Sequence, residues 1–364
     1  MILNEFINLY YNLMSSISQV KKSPNSIQFK ILNKDNSLDI ALINAIRRII
    51  LVNLDIYAFS RDSINFQINT SIYNEDFISQ RISLIPLNFK ELEKLDHTLI
   101  EAYLDESNED LIDFKKVYAK DLKIYITEGE DFRRPIDNII TIPDILLFQL
   151  KPNQKIKFSI KIQKGCHKED GSMFCPVSKA VYFFENDEKA LQEALKELPV
   201  EKRDEYRSIY REKFYLKNSS GSPSIYNFHI DCDDIIPVNE LFARACDFLI
   251  NLLKSKIQEI KNIEKSTDVT IETSPTNMIG FDFIFEKSDD TLGNLLQTYG
   301  LKDKEIHYIG YHVPHPLDRK LYVRLSLVNQ ESSMQNYERK VIAIAESVIG
   351  IVEKLKKDYL MSAK

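Results

Sequence analysis

The chain has 364 residues, 44% hydrophobic and 28% charged, a composition typical of a globular protein with two or three domains. It carries 48 Lys and Arg against 54 Asp and Glu, and this acidic balance argues against a free-standing nucleic-acid-binding protein. The 4 cysteines show no dense spacing, which argues against a disulfide scaffold and favours a reducing compartment. The sequence contains no uninterrupted apolar run of about 18 residues, so it predicts no membrane span.

Residues 1–25 begin with an apolar run that polar residues interrupt. This pattern predicts an amphipathic helix packed on the chain itself or on a partner. A signal peptide is not expected, because the run has no basic leader and no small-residue cleavage site. Residues 27–32 then alternate between apolar and polar side chains, which predicts a strand.

Two stretches far apart in the chain predict helices that pack on each other. Residues 35–52 carry apolar side chains at a three-and-four spacing, which gives a helix one wide apolar face. Residues 289–299 repeat this pattern after a cap-like Asp and Thr. Beside the first apolar face lie Asn44, Arg47 and Arg48. Solvated charges are the ordinary interpretation, but a pair of arginines favours a fork that binds carboxylates or carbonyl groups of a partner.

The remaining pattern predicts alternating strands and helices. Strands are expected at residues 63–70, 122–127, 156–162, 226–230, 278–285, 306–311 and 321–327. Helices are expected at residues 73–85, 237–260 and 341–360, and a short helix or turn at 143–150. Residues 185–222 are rich in Glu, Lys and Arg and predict a solvated helical insertion followed by a flexible joint.

Three clusters of residues are candidates for chemistry. His307, His312 and His315 lie around a proline-containing turn without a nearby cysteine, so packing is favoured over metal binding. A second cluster offers soft ligands at Cys166, His167 and Cys175, but one cysteine pair is a weak zinc signal. The third cluster is the run of residues 231–234, with aspartates at 231, 233 and 234 just before a predicted helix, where a cap and turn are the favoured role. No glycine-rich phosphate loop is present.

Residues 39–48 (DIALINAIRR) and 69–87 (NTSIYNEDFISQRISLIPL) resemble the α-type assembly subunits of cellular RNA polymerases. This family includes the third-largest subunit of RNA polymerase II, the archaeal D subunit and bacterial α. Further segments of the same resemblance are residues 164–167, 175–177 and 228–232.

The last hundred residues resemble a different subunit, the eleventh of RNA polymerase II and the archaeal L subunit. The resemblance lies in residues 290–296 (DTLGNLL) and 309–317 (IGYHVPHPL). A single chain with both parts resembles the fused assembly subunit of large cytoplasmic DNA viruses. Many cellular relatives carry a cysteine cluster for zinc or iron–sulfur in the second domain, but residues 88–120 contain no cysteine. No metal and no cofactor are therefore expected.

The resemblance implies two sets of functional residues and no catalytic residue. Partner chains are expected to bind Asn44, Arg47, Arg48, Arg81 and Pro86. The two halves are expected to be held together by Leu38, Leu42, Ala45, Ile46, Ile49, Leu292, Gly293, Asn294, Leu295, Leu296, Gly310, Tyr311, Pro314 and His315. Gln297 and Thr298 replace the arginine pair in the second half, so the two halves are expected to face different large subunits.

The expected fold is α+β, with two modules of mixed sheet and long helices that form an intramolecular pseudo-dimer. The expected limits are 1–25 for the N-terminal helix, 26–56 with 181–265 for the first module, 57–180 for an inserted mostly-β domain, and 266–364 for the second module. Joining the modules makes their pairing an intramolecular event at high effective concentration.

The expected function is that of a non-catalytic platform on which an RNA polymerase assembles for transcription. The expected partners are the two large catalytic subunits and small polymerase subunits, with DNA and RNA reached only through the complex and no membrane contact. The resemblance places the protein in the host cytoplasm and the virion. The alternatives are a metal-dependent nucleic-acid enzyme that uses the 231–234 aspartates, or a nucleic-acid-binding adaptor.

Overall fold

The structure, a computed structural model, describes residues 16–363 apart from 111, 129–131, 234, 265–266, 275–278, 316 and 330–332. The strands in this part are β1 (Ile17–Ser23), β2 (Ser26–Leu32), β3 (Ile56–Phe59), β4 (Asn65–Asn69), β5 (Ile100–Ser107), β6 (Lys115–Tyr118), β7 (Lys123–Glu128), β8 (Phe132–Pro135), β9 (Leu146–Leu150), β10 (Lys155–Gly165), β11 (Lys179–Phe184), β12 (Ile225–Asp231), β13 (Val269–Thr273), β14 (Phe281–Glu286), β15 (Ile306–His312) and β16 (Lys320–Leu327). The α-helices are α1 (Ile40–Val52), α2 (Glu75–Ser83), α3 (Phe89–Glu93), α4 (His167–Asp170), α5 (Glu188–Lys196), α6 (Arg203–Tyr210), α7 (Val238–Lys261), α8 (Asp290–Gly300) and α9 (Met334–Ser362).

Two four-stranded antiparallel sheets share one topology. Their strand orders are β1-β2-β12-β11 and β13-β14-β16-β15. The first sheet with α1 and α7 is called the first module here, and the second sheet with α8 and α9 the second module. When the elements between α1 and β11 and the helices between β11 and β12 are set aside, both modules have the chain order β-β-α-β-β-α. The prediction of an α+β fold is confirmed.

The first helix of each module begins in the same way. The Asp39 side chain accepts a hydrogen bond from the Ala41 N–H at 3.1 Å, and the Asp289 side chain accepts one from the Thr291 N–H at 3.0 Å. A side-chain oxygen at this position satisfies a backbone donor that has no partner within the helix. Both helices therefore begin where the sequence places an aspartate before an apolar stripe.

The closing helices of the two modules pack together and join their cores. The Tyr359 ring of α9 is fully buried, with its centroid 5.1 Å from that of Phe29 on β2 and 4.8 Å from that of Phe242 on α7. The Tyr359 hydroxyl donates to the carbonyl oxygen of Asn239 at 3.1 Å. One ring of the second module thus completes the aromatic core of the first.

The chain between α1 and β11 forms a separate layer, which is called the inserted unit. Its six-stranded sheet has the order β3-β10-β5-β7-β8, and β4 also pairs with β10. The unit also contains α2, α3, α4 and the β6–β9 pair. Residues 185–222 contain α5 and α6 between β11 and β12, so this charged stretch is an excursion from the edge of the first sheet.

Several local predictions are wrong. The predicted helix over residues 1–25 is contradicted by β1, whose residues pair with β2; residues 1–15 of that prediction lie outside the described part. Residues 146–150 form β9 rather than a helix or turn, because β6 pairs with them. The strand β13 was not predicted, and it pairs along β14. In each case a hydrogen-bonded neighbour decides the conformation, and local periodicity does not show that neighbour.

The predicted domain limits stay a prediction. Within the described part of the chain, no helix has the length and hydrophobicity needed to span a bilayer.

Candidate interaction site

Helices α1 and α8 contact each other in an antiparallel arrangement. The Tyr299 hydroxyl at the end of α8 donates to the carbonyl oxygen of Ser37, just before α1, at 2.9 Å. At the other end, Arg48 lies 3.9 Å from the carboxylate of Asp289. The structure thus places the two helices singled out in the sequence against each other, with each N-terminus beside the other helix's second half.

Most of the apolar residues assigned to the contact between the halves are buried. The fully or almost fully buried members are Leu38, Leu42, Ala45, Ile46, Ile49, Leu292, Gly293, Leu295 and Leu296. Asn294 is half-buried and accepts a hydrogen bond from the Thr298 hydroxyl. Not all of this burial occurs between the modules, since α1 and α8 also cover their own sheets.

Gly293 lies under the ring of Tyr311, a residue of β15. A Cβ added at Gly293 would lie 2.4 Å from the Tyr311 Cδ2 atom and 2.7 Å from Leu321. The absence of a side chain therefore lets α8 approach its own sheet. Gly310 is close-packed in the same strand, because a Cβ there would lie within 2.4 Å of the Tyr308 hydroxyl.

The assignment of Pro314 and His315 to the packed contact between the halves is wrong. Both residues are exposed in the loop between β15 and β16. The ring Nδ1 of His315 accepts a hydrogen bond from the Leu317 N–H at 3.2 Å, which shapes the loop itself. The sequence motif alone does not distinguish a loop that turns towards solvent from one that turns into the contact.

The polar side chains of α1, Asn44, Arg47 and Arg48, already have contacts within the chain. The Arg47 Nε donates to the Asn44 side-chain oxygen at 2.9 Å. Burial raises the pKa of Tyr182, and the nearby Arg47 charge opposes this shift. Arg48 faces Asp289. Asn44, Arg47 and Arg48 are all half-buried, so only part of each side chain is accessible to a partner.

Arg81 fixes α2 on the inserted unit. Its guanidinium donates to the carbonyl oxygen of Leu146 at 2.5 Å and lies 5.8 Å from the centroid of the Phe77 ring. Pro86, just after the helix, accepts a hydrogen bond at its carbonyl oxygen from the Thr141 N–H at 3.1 Å. These two residues therefore position the segment that carries them.

An exposed apolar surface on this segment was missed in the sequence. Ile72, Phe77 and Leu84 are 61%, 42% and 52% exposed; they are called the α2 patch. Phe77 lies in α2, Ile72 precedes the helix and Leu84 directly follows its last residue. Exposed apolar side chains in one segment are candidates for an interaction site. Residue spacing gave no signal for this surface, because it does not show which apolar positions are covered by the rest of the chain.

In the described part of the chain, Asp231 of the 231–234 run contacts neighbouring side chains of its own sheet. Asp231 Oδ1 lies 2.7 Å from the His229 ring, and Asp231 Oδ2 lies 3.8 Å from Lys179. Although burial acts to raise the pKa of Asp231, hydrogen bonds from Ser26 and His229 and the nearby cations lower it overall. Among the residues that the structure describes, no group of three or more His, Cys, Asp and Glu is arranged to hold a metal ion. Residue 234 lies outside them.

Comparison with known proteins finds a family match within the second module. Residues 281–357 match the model of the RNA polymerase Rpb3/Rpb11 dimerisation domain. This range runs from β14 into α9 and contains the contact of α8 described above.

Individual relatives extend the similarity to both parts of the chain. The chain is 22% identical over 286 residues to the DNA-directed RNA polymerase II subunit RPB3 of Schizosaccharomyces pombe, covering 70% of this chain and 90% of that protein. It is 33% identical over 75 residues to RPB11 of the same organism, covering 21% of this chain and 58% of the relative. A probable RPB11 of Caenorhabditis briggsae is 45% identical over 47 residues, covering 13% of this chain and 38% of the relative. One chain therefore combines similarity to RPB3 with similarity to RPB11.

Proposed function

We propose that this chain is the assembly platform of a multisubunit DNA-directed RNA polymerase, on which the two large catalytic subunits and small subunits come together during transcription. The observation that carries the proposal is the presence of RPB3-like and RPB11-like sequence on one chain. Two modules of equal topology that share an aromatic core support it.

The chain's role is one of assembly rather than catalysis. Its relatives are named as RNA polymerase subunits, and a non-catalytic role is favoured over the metal-dependent enzyme. The engagement of Asp231 by His229 and Lys179 supports the same preference. A net charge of −6 is consistent with DNA and RNA being reached only through the complex.

The α2 patch is the proposed contact for a large subunit, with Asn44, Arg47 and Arg48 as a second contact. Apolar side chains at the centre of an interface supply most of the binding energy, while surrounding charges set orientation. Arg81 supports the patch by holding α2 on the carbonyl of Leu146.

Reconstitution with the two large subunits tests this proposal. Phe77→Glu and Leu84→Glu are expected to leave the far-UV circular dichroism unchanged and to abolish recovery of the complex, because each puts a charge in an apolar contact. Val200→Glu is the matched control, since Val200 is 74% exposed and lies in the charged excursion. Intact complexes from both patch variants would contradict the proposed contact.

The proposed setting is the cytoplasm of a cell infected by a large DNA virus, and the virion. Support comes from the resemblance to fused viral subunits and from the fused arrangement itself. Mass spectrometry of purified virions and of polymerase isolated from infected cytoplasm tests it, and recovery of the chain only from nuclei would contradict it.

A further inference from the structure

One carboxylate of the second module forms ion pairs with the inserted unit and with the first module. Asp289 caps α8, and its side chain is 30% exposed. The Lys168 ammonium of the inserted unit lies 2.8 Å from it, and Arg48 of the first module lies 3.9 Å from the same oxygen. Three segments that are distant in sequence therefore meet at Asp289.

Lys168 lies in the segment of residues 165–170, called the corner here, which is held in place by its own contacts. The Asp170 carboxylate accepts a hydrogen bond from the Cys166 N–H at 2.9 Å. Gly165 permits this approach, because a Cβ there would lie 2.6 Å from the Asp170 oxygen. Beside it, Glu169 pairs with Arg319, but both side chains are half exposed, so this second pair contributes little. A fixed corner loses less entropy when Lys168 binds Asp289 than a mobile one would.

The corresponding position in the first module has different partners. Asp39 caps α1 as Asp289 caps α8, but among the described residues the cation that pairs with Asp39 is Lys302, at 3.9 Å. When the two capping aspartates are aligned, Arg48 corresponds to Thr298. A pairing of two second modules would therefore place Thr298 where Arg48 now lies, and it would lack Lys168. The partly buried carboxylate of Asp289 would then lose both cations, which is unfavourable.

We propose that Asp289 determines the specificity of module pairing, so that the second module docks on a first module that carries the inserted unit and not on another second module. Although burial acts to raise it, the pKa of Asp289 is lowered by Lys168 and by the Thr291 N–H, so the group is charged at neutral pH. This proposal concerns pairing within the chain and does not depend on the proposed assembly role.

The test uses the full chain with a protease site inserted between α7 and β13. The folded chain is cut, and dissociation of the two fragments on dilution is measured by native mass spectrometry at low and high salt. Asp289→Asn removes the charge but keeps a side-chain oxygen that can cap the helix. Lys168→Gln removes the charge of the inserted unit that pairs with Asp289. Asp39→Asn is the matched control at the N-terminus of α1.

Asp289→Asn and Lys168→Gln are each expected to weaken pairing by about tenfold, the size expected for a hydrogen-bonded charge pair. The double variant is expected to be no weaker than either single variant, because both remove one interaction. Asp39→Asn is expected to change pairing by less than about threefold, because Asp39 has only the 3.9 Å contact with Lys302 and no close partner like Lys168, which lies 2.8 Å from Asp289. The cut Asp289→Asn chain is also expected to yield homodimers of its second-module fragment. The cut chain that retains Asp289 is expected to yield none.

Additive effects of the two single variants, or equal effects at Asp289 and Asp39, would overturn the proposal. Because no other polymerase subunit is present in this assay, its result is independent of the reconstitution experiment. Unchanged circular dichroism of the uncut variants separates loss of pairing from loss of folding.

Discussion

Replacement of Tyr359 is the strongest test of how the second module is bound to the first. The residue belongs to the last turns of α9, yet its ring lies among aromatic rings of the first module, close to Phe29 and Phe242. Its hydroxyl donates to the Asn239 carbonyl. The side chain is fully buried, so the ring and the hydroxyl make these contacts away from solvent.

Two substitutions separate the hydroxyl from the ring. Tyr359→Phe removes only the hydrogen bond and is expected to lower the free energy of unfolding by about 0.5–1.5 kcal/mol. Tyr359→Ala also removes the ring and leaves a cavity between two modules. By analogy with other aromatic-to-alanine changes, it is expected to cost about 3–5 kcal/mol for the ring.

Urea unfolding followed by far-UV circular dichroism and by tyrosine fluorescence measures both changes, since the chain contains no Trp. Leu360→Ala is the control, because this neighbour in α9 is 43% exposed. Hydrogen exchange of α7 peptides shows whether the first module is loosened, as a shared core requires. The reasoning is refuted if Tyr359→Ala costs no more than Leu360→Ala, or if protection in α7 is unchanged.

Three other changes have defined outcomes. Gly293→Ala is expected to lower stability by about 1 kcal/mol in urea unfolding, because a clash with Tyr311 worth about 1–3 kcal/mol exceeds the helix preference of alanine, about 1 kcal/mol; a more stable variant would show that the ring moves freely. Lys354 lowers the pKa of Asp35 from 3.8 to about 2, so the carboxylate stabilises the fold above pH 4 and this stabilisation is lost as pH falls from about 4 to 2. The stability difference between wild type and Asp35→Asn, small because the pair is half exposed, is expected to shrink over that range in acid titrations; a constant difference would contradict the ion pair. Burial raises the pKa of Cys246, so N-ethylmaleimide at pH 8 is expected to modify the two half-buried cysteines well before it, as read by peptide mass spectrometry, and equal rates would contradict the packing.

The elements with a strong local signal were predictable. The apolar stripe after Asp39 predicts α1, and its repeat after Asp289 predicts α8, because a capping side chain and a three-and-four spacing act within one helix. The strand β12 alternates between buried and partly exposed residues, and the long helix α7 has an apolar face, so each also has a local signal. By contrast, β1 and β9 have no sequence pattern that overrides their neighbours, and their pairing with β2 and β6 gives them their conformation.

The candidate site shows the same division. The sequence by itself determined which helices carry apolar faces and which residues carry charge, since both follow from residue type and spacing. Only the tertiary structure decided what each side chain meets: Arg48 and Lys168 converge on Asp289, Phe77 stays exposed, and His315 turns to solvent. The physical reason is that burial and ion pairing depend on distances between segments far apart in the chain, and these distances exist only once the modules are packed together.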